Sequence, residues 1–260
     1  MCFGIKTHKN ALLREERLQY ILLQLRATKR VTSTALSEAL QVSDDTIRRD
    51  LHELAEQGLL RKVHGGAIPL PTSPLLYAER LQFAQPEKSR LAQKALPFLE
   101  SDTLILLDGG TTNLAVAKAL PADFQATIFT NSVPIAQELM TRPRIELVIL
   151  GGRVFKQAQV MVGSEAIRML DDVRATICLL GACSVHPDVG VSVPDREEAQ
   201  LKRKMVACSA RTLLLATHEK LDTASHYIVC PYDSLDTLIA EPALSAAQQK
   251  AYAAGNVTLL

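Results

Sequence analysis

Two rhythms of apolar residues run along this chain. Up to about residue 99 they recur every three or four positions, the spacing of one face of a helix. From Thr103 onward they come in short unbroken runs. Leu18, Ile21, Leu22 and Leu25 predict a first amphipathic helix over Arg14–Arg26. Leu36, Leu40, Val42, Ile47, Leu51 and Leu54 keep helical spacing except for a break at Val42–Ser43, which predicts two short helices joined by a tight turn. Ser43 is placed to cap the second, with Asp44 and Asp45 where the helix dipole favours negative charge. Gly58 ends that helix, and Leu59–Val63 followed by His64-Gly65-Gly66 predicts a small β-hairpin, a wing.

Residues 1–10 read as a frayed tail, and IPLPTSP, with three prolines among small residues, as a linker. Tyr77–Leu99 reads as largely helical, interrupted near Pro86 and basic on one side through Lys88, Arg90 and Lys94. A solvated connecting helix is the expectation for it.

The apolar runs TLILL (103–107), ATIFT (126–130), IELVIL (145–150), ATICLLG (175–181), TLLLAT (212–217) and YIVC (227–230) are rich in β-branched residues. Helical patterns at Asn113–Leu120, Val133–Met140 and Arg196–Ala210 separate several of them. Such alternation predicts an α/β domain with a largely parallel sheet. The expected organisation is therefore a winged helix-turn-helix over 14–69, with its helix-turn-helix at about 31–50, then a linker and connecting helix over 70–99, and an α/β domain for ligand binding and oligomerisation over 100–260.

The helix after Ser43 carries candidate DNA-reading chemistry. In a helix-turn-helix the second helix enters the major groove with its N-terminal residues toward base edges. Ser43, Asp45, Thr46, Arg48 and Arg49 occupy that region, and arginine grips guanine through two hydrogen bonds. Arg61, Lys62, His64, Gly65 and Gly66 would form the wing beside the phosphate backbone. The plainer alternative is a helical hairpin whose arginines are solvated and pair with Asp44, Asp45 or Glu53.

Charge and cysteine usage refine this picture. The 260-residue chain has a net charge of only +1. Residues 1–70 nevertheless hold 11 Lys and Arg against 8 Asp and Glu, and the rest holds 18 against 20, so the basic bias falls on the proposed DNA-binding part. Cys2, Cys178, Cys183, Cys208 and Cys230 form no CxxC pair and no zinc-like cluster, which fits reduced thiols filling a core. The first residues lack a signal-peptide pattern and no apolar run approaches a bilayer span, so a cytoplasmic protein without a membrane partner is expected. No metal and no cofactor is implied.

In an open parallel sheet, ligands bind beyond the carboxyl ends of the strands. The predicted strand ends are followed by Asp108-Gly109-Gly110-Thr111-Thr112, Thr130-Asn131-Ser132, Gly151-Gly152-Arg153 and Gly181-Ala182-Cys183-Ser184. Each loop taken singly is ordinary turn chemistry. Their convergence on one edge predicts a site for a phosphorylated small ligand, with Gly-Gly-Thr-Thr presenting backbone N–H groups and hydroxyls to an anion at a helix N-terminus. Glu198 and Lys202 lie four apart on a predicted helix, where an intrahelical pair is the plain reading; the functional one has Lys202 and Lys204 facing a phosphate or a neighbouring subunit.

TIRRDLHELAEQGLLRKVHGGA resembles the signature of the DeoR family of bacterial transcriptional regulators. DGGTT, TNS, GGR and EAQLKRKM likewise resemble successive motifs of that family's effector domain, so the likeness covers about residues 14–240. It implies a domain like ribose-5-phosphate isomerase and glucosamine-6-phosphate deaminase that binds a phosphorylated sugar or related metabolite. The function implied is a repressor of a carbohydrate-metabolism operon, controlled by that effector. A homodimer or homotetramer would suit a symmetric double-stranded operator. Lys220 would be an effector contact. One departure is present, since the family commonly has Asp-x-x-Lys where this chain has Thr217-His218-Glu219-Lys220. The alternative is a sugar-phosphate isomerase or deaminase with an accessory helical domain. That reading needs an acid–base pair. Asp108 is the one carboxylate at these strand ends, while His186, Asp188 and Asp195 lie in a loop with no such pattern, so no catalytic residue is assigned.

Overall fold

Ile21 and Leu25 of α1 (Arg14–Thr28) share a core with Leu36 and Leu40 of α2 (Ser33–Leu40) and with Ile47, Leu51 and Leu54 of α3 (Asp44–Glu56). The structure is a computed structural model that describes residues 13–71, 76–241, 244–253 and 256–260. The tail over 1–10, Cys2 and part of the proposed linker lie outside those residues. Thr32 caps α2 by accepting from the Ala35 N–H, and Ser43 caps α3 by accepting from the Thr46 N–H at 3.2 Å.

Three short strands complete this unit: β1 (Val31–Thr32), β2 (Arg61–Val63) and β3 (Gly66–Ile68), antiparallel in the order β1-β3-β2. β2 and β3 are the expected wing. β1 was not expected, and it gives Gly66 its reason: a Cβ there would stand 1.9 Å from the Val31 carbonyl oxygen. A buried ion pair absent from the sequence reading ties α1 to α3. Arg17 donates through Nε to Asp50 Oδ2 and through Nη2 to Asp50 Oδ1, the latter at 3.0 Å. That hydrogen bond raises the Arg17 pKa against the opposing effect of burial.

The chain separates into two compact units, Met1–Leu70 and Pro71–Leu260. The second begins with α4 (Tyr77–Gln82) and α5 (Gln85–Ala95). The interruption falls at Phe83–Ala84, with Ala84 at φ +51°, and Pro86 lies in the first turn of α5, where its missing N–H matters least. α5 is not the solvated connector expected from its basic side. Leu91, Ala92 and Ala95 are buried in the α/β core, Arg90 Nε and Lys94 Nζ both hold Glu241, and Lys88 is itself buried.

From there strands and helices alternate: β4 (Leu104–Leu107), α6 (Thr111–Ala119), β5 (Ala126–Thr130), α7 (Val133–Leu139) and β6 (Ile145–Ile149). A hairpin of β7 (Arg153–Phe155) and β8 (Val160–Val162) leads to α8 (Ser164–Arg168) and β9 (Ile177–Leu180). Then follow β10 (Ser184–His186), β11 (Gly190–Val193), α9 (Arg196–Ala207), β12 (Thr212–Thr217), β13 (Tyr227–Cys230), β14 (Thr237–Glu241), α10 (Ala246–Tyr252) and β15 (Thr258–Leu259). Among the described residues, seven strands form one parallel sheet in the order β15-β14-β12-β9-β4-β5-β6. The run 227–230 is not part of it, because β13 pairs antiparallel with β11 in a small side sheet, and β14 takes the place beside β12.

Successive residues of the central strands face opposite cores. Ile105, Leu107, Ile177, Leu179, Leu213 and Leu215 pack with α5, α6 and α7. Leu106, Cys178, Leu180, Leu214 and Ala216 pack with α8, α9 and α10. Coverage on both faces explains why these strands read as unbroken apolar runs. The strand order reverses between β4 and β9, and such a switch point opens a crevice at the carboxyl ends of the strands.

Candidate DNA-reading surface and ligand cavity

In the first unit, the side of α3 opposite the core presents Arg48 and Arg49, with side chains 69% and 81% exposed. Arg48 pairs with Asp44 at 3.5 Å and Arg49 with Asp45 at 2.6 Å, each one turn apart. The plainer reading foresaw these pairs, but exposed pairs of this type contribute only about 0.3–0.5 kcal/mol and yield readily to phosphate or base acceptors. Thr46 is half-buried and its hydroxyl lies 2.9 Å from Ser43 Oγ, so Ser43 and Thr46 fix the start of the helix. On the wing, Lys62, His64 and Gly65 are exposed, whereas Arg61 is half-buried, with its pKa lowered by burial. Gly66 is buried, and packing against β1 accounts for it without any reach toward DNA.

In the second unit, a cavity of about 300 Å³ opens at the switch point. One wall is the loop and first turn of α6, Gly109 to Asn113. Gly181 and Cys183 after β9, Glu198 and Lys202 of α9, and Lys220 after β12 form others. Phe155, Gln157 and Val160 of the β7–β8 hairpin, with Arg80, Phe83 and Lys88, cover it.

Asp108 lies directly behind this wall, fully buried. Its Oδ2 accepts from Lys202 Nζ and from the Gly181 N–H at 2.7 Å, while its Oδ1 is buried without a hydrogen-bond partner. Lys202 also reaches Glu198 Oε1 at 3.2 Å. Burial opposes the charge on Lys202, but Asp108 and Glu198 together more than offset it and hold its pKa above the ordinary lysine value. Burial also raises the Glu198 pKa; Lys202 counters that rise and Asp108 adds to it. The loops meet closely here, since a Cβ on Gly181 would stand 2.2 Å from the Gly109 carbonyl oxygen. Asn113 Nδ2 pins the same junction, donating to the Asp108 and Leu179 carbonyls, each at 2.9 Å.

Gly110, Thr111 and Thr112 begin α6, whose first-turn N–H groups have no partner within the helix. Lys220 Nζ points to this end, 3.4 Å from Thr112 Oγ1, and burial lowers its pKa. Lys88 Nζ closes the C-terminal end of α4 by donating to the Arg80 and Phe83 carbonyls. Burial, with Lys220 and Arg80 nearby, lowers the Lys88 pKa to about 8 despite Glu219 and Glu87. Arg80 Nη2 reaches across to the Gln157 carbonyl of the hairpin at 3.4 Å.

The other expected contacts serve as framework. Asn131 accepts from the Gly109 N–H at 3.1 Å, Thr130 Oγ1 accepts from the Ser132 N–H at 3.1 Å, and Ser132 caps α7. All three are fully buried and none lines the cavity. Gly151 and Gly152 also stand off it, as does Arg153, which pairs with Glu197 at the surface. The sequence reading missed Arg80, Lys88, Glu219 and the β7–β8 hairpin. For Lys88 the signal was the basic side it shares with Arg90 and Lys94, and for Glu219 its place beside Lys220; Arg80 carried none.

Two family models cover most of the chain: the DeoR-like helix-turn-helix domain over residues 17–72 and the DeoR C terminal sensor domain over 84–241. The HTH-type transcriptional repressor GlcR of Bacillus subtilis is 34% identical over 230 residues, covering 87% of this chain and 88% of that protein. The glycerol-3-phosphate regulon repressor of Haemophilus influenzae is 32% identical over 205 residues, covering 78% and 80%. Among solved structures, ribose 5-phosphate isomerase A of Neisseria gonorrhoeae aligns over 53% of this chain and 54% of that one, at 16% identity and a TM-score of 0.40. That likeness is slight, and the fold stands on the strand order itself.

Proposed function

Because the chain belongs to the DeoR family of transcriptional regulators, we propose that it represses a carbohydrate-metabolism operon and that a phosphorylated sugar in the cavity sets its grip on the operator. The observation that carries the DNA part is the exposed face of α3, where Arg48 and Arg49 stand clear on a helix whose start is fixed by Ser43. Charge supports the ligand part. Lys88, Lys220 and Arg80 face the cavity near the N-terminus of α6, with Glu219 as the nearby carboxylate. That excess of positive charge suits a phosphate dianion.

The mechanism is linkage. A ligand that prefers the arrangement with weak operator affinity shifts the population toward it and releases the DNA. A dimer or tetramer would place two winged helices on a symmetric operator. Turnover is not favoured, because the matching family models and relatives are those of transcriptional regulators. Asp108, the carboxylate foreseen at the strand ends, lies behind the cavity wall with its Oδ2 held by Lys202 and the Gly181 N–H.

The test is fluorescence anisotropy with DNA from upstream of the protein's own operon, at stated salt and with excess nonspecific competitor. Binding that survives competitor and is released by a sugar phosphate is the expected result. Binding abolished by competitor on every fragment of that region would refute the operator reading. Release by no sugar phosphate would refute the effector reading.

A further inference from the structure

The charged groups around the cavity fall into two clusters. Lys88 interacts electrostatically with Lys220, Glu219, Arg80 and the outlying Glu87. Glu198 interacts with Lys202, Asp108 and Arg80. The clusters adjoin: Arg80 interacts with both, Lys220 of the first also interacts with Lys202 of the second, and Cys183 feels Glu198, Lys202 and Lys220.

The clusters differ in composition. The first surrounds the N-terminus of α6 and is cationic. In the second, Lys202 is engaged by both Asp108 and Glu198, so within this triad two carboxylates face one ammonium, and Arg80 is the further cation near Glu198. Glu198 is the member of that cluster that presents a carboxylate to the cavity, and it holds Lys202 through Oε1. A ligand group arriving at this end meets a hydrogen-bond acceptor with negative charge behind it.

We propose that Glu198 is a specificity residue that restricts the ligand to one anionic group: a polyol or sugar monophosphate whose far end carries hydroxyl or ammonium donors, with bisphosphates and phosphorylated acids disfavoured. This rests on the reading of the cationic end as a phosphate site. A hydroxyl at the far end donates to Glu198. A carboxylate or second phosphate there sets a like charge beside the buried Glu198 carboxylate, where repulsion is weakly screened.

The test uses the full chain and a matched pair, sorbitol 6-phosphate and 6-phosphogluconate. Both are open six-carbon phosphates with the same stereocentres, and they differ in a terminal CH2OH against a carboxylate. Inorganic phosphate serves as the reference for the cationic end alone, and all three are titrated by calorimetry at one pH and salt. Sorbitol 6-phosphate should bind about tenfold or more tighter than 6-phosphogluconate, a difference of about 1.4 kcal/mol. In E198Q, which keeps shape and removes charge, that ratio should fall toward one while the affinity for inorganic phosphate changes little.

Equal or tighter binding of 6-phosphogluconate by the natural chain overturns the inference, and this comparison needs no variant to fold. An unchanged ratio in folded E198Q also overturns it, by taking the discrimination away from Glu198. If inorganic phosphate and both sugar phosphates fail to bind, the phosphate reading itself fails and the inference falls with it. Binding of inorganic phosphate with no discrimination between the pair leaves the phosphate reading standing and removes the specificity.

Discussion

Replacing Asp50 with Ala would show how far the first unit depends on one ion pair. Asp50 sits on the inner side of α3 with its side chain 4% exposed, and Arg17 of α1 is 12% exposed. Two guanidinium nitrogens donate to its two oxygens, so the pair is bidentate. Without the carboxylate, Arg17 remains as an uncompensated cation between two helices. Stranding one partner of a buried pair costs about 3–5 kcal/mol, and the residual exposure of Arg17 places this case near the lower figure, about 3 kcal/mol. Amide hydrogen exchange in the full chain, read peptide by peptide, reports that loss locally. A loss of about 3 kcal/mol corresponds to exchange roughly 100-fold faster in peptides from α1 and α3 where they open with the whole unit. Peptides from β4 and β9 should be unaffected. The double variant Arg17→Met with Asp50→Leu, which removes both charges and fills the space, should regain most of the protection. Unchanged exchange in D50A, or a double variant no better than the single one, would refute the reasoning.

Arg48→Ala and Arg49→Ala should each weaken operator binding by about 1–3 kcal/mol. Thermal melting should stay put, because both side chains are exposed; anisotropy and a melt on the same sample check the pair of statements. Lys202→Met leaves the Asp108 carboxylate buried without its cation, a loss of about 3–5 kcal/mol, seen as faster exchange at β4 and β9 and partly restored by adding Asp108→Asn. Phosphate affinity should fall as pH rises through about 8, because Lys88, whose pKa burial lowers to that region, loses its charge. Calorimetry at pH 7 and pH 9 should show Lys88→Met with a flatter profile. Stability should move the other way. Between about 8 and the ordinary lysine value of 10.5 the unfolded chain binds more protons at this group, so the Lys88 contribution to stability rises with pH there.

Much of this architecture was legible because its signals are local. Ser43, the two aspartates after it and the wing glycines each announce a backbone event within four residues. The unbroken apolar runs at 104–107, 177–180 and 212–217 announced strands covered on both faces. Pairing partners were not local. YIVC has the same texture as the central strands, yet β13 leaves the sheet for β11, while TLIAE, following close behind, joins β12. The strands of the 153–162 hairpin are three residues each, too short to show a period.

Convergence of strand ends located the cavity, but could not separate residues that face it from those that frame it. Thr130, Asn131 and Ser132 have the right chemistry and use it on neighbouring backbone. Lys88 shows the opposite case. A lysine beside Leu91 and Ala92 looks solvated until the chain turns at Ala84 and presents two carbonyls for its ammonium.

The order of the sheet also bears on how the protein is made. Every strand pairing of the winged unit closes within Val31–Ile68, so that unit can fold as soon as its segment leaves the ribosome. Its neighbour cannot, because β4 waits for β9, and β9 waits for β12, before either is flanked on both sides. A message broken or a chain terminated between Ile68 and Thr237 therefore yields a finished winged unit attached to an unfinished sheet. A fragment that ends before Lys220 would also lack part of the cavity wall, and its unpaired strand edges would be open to proteases.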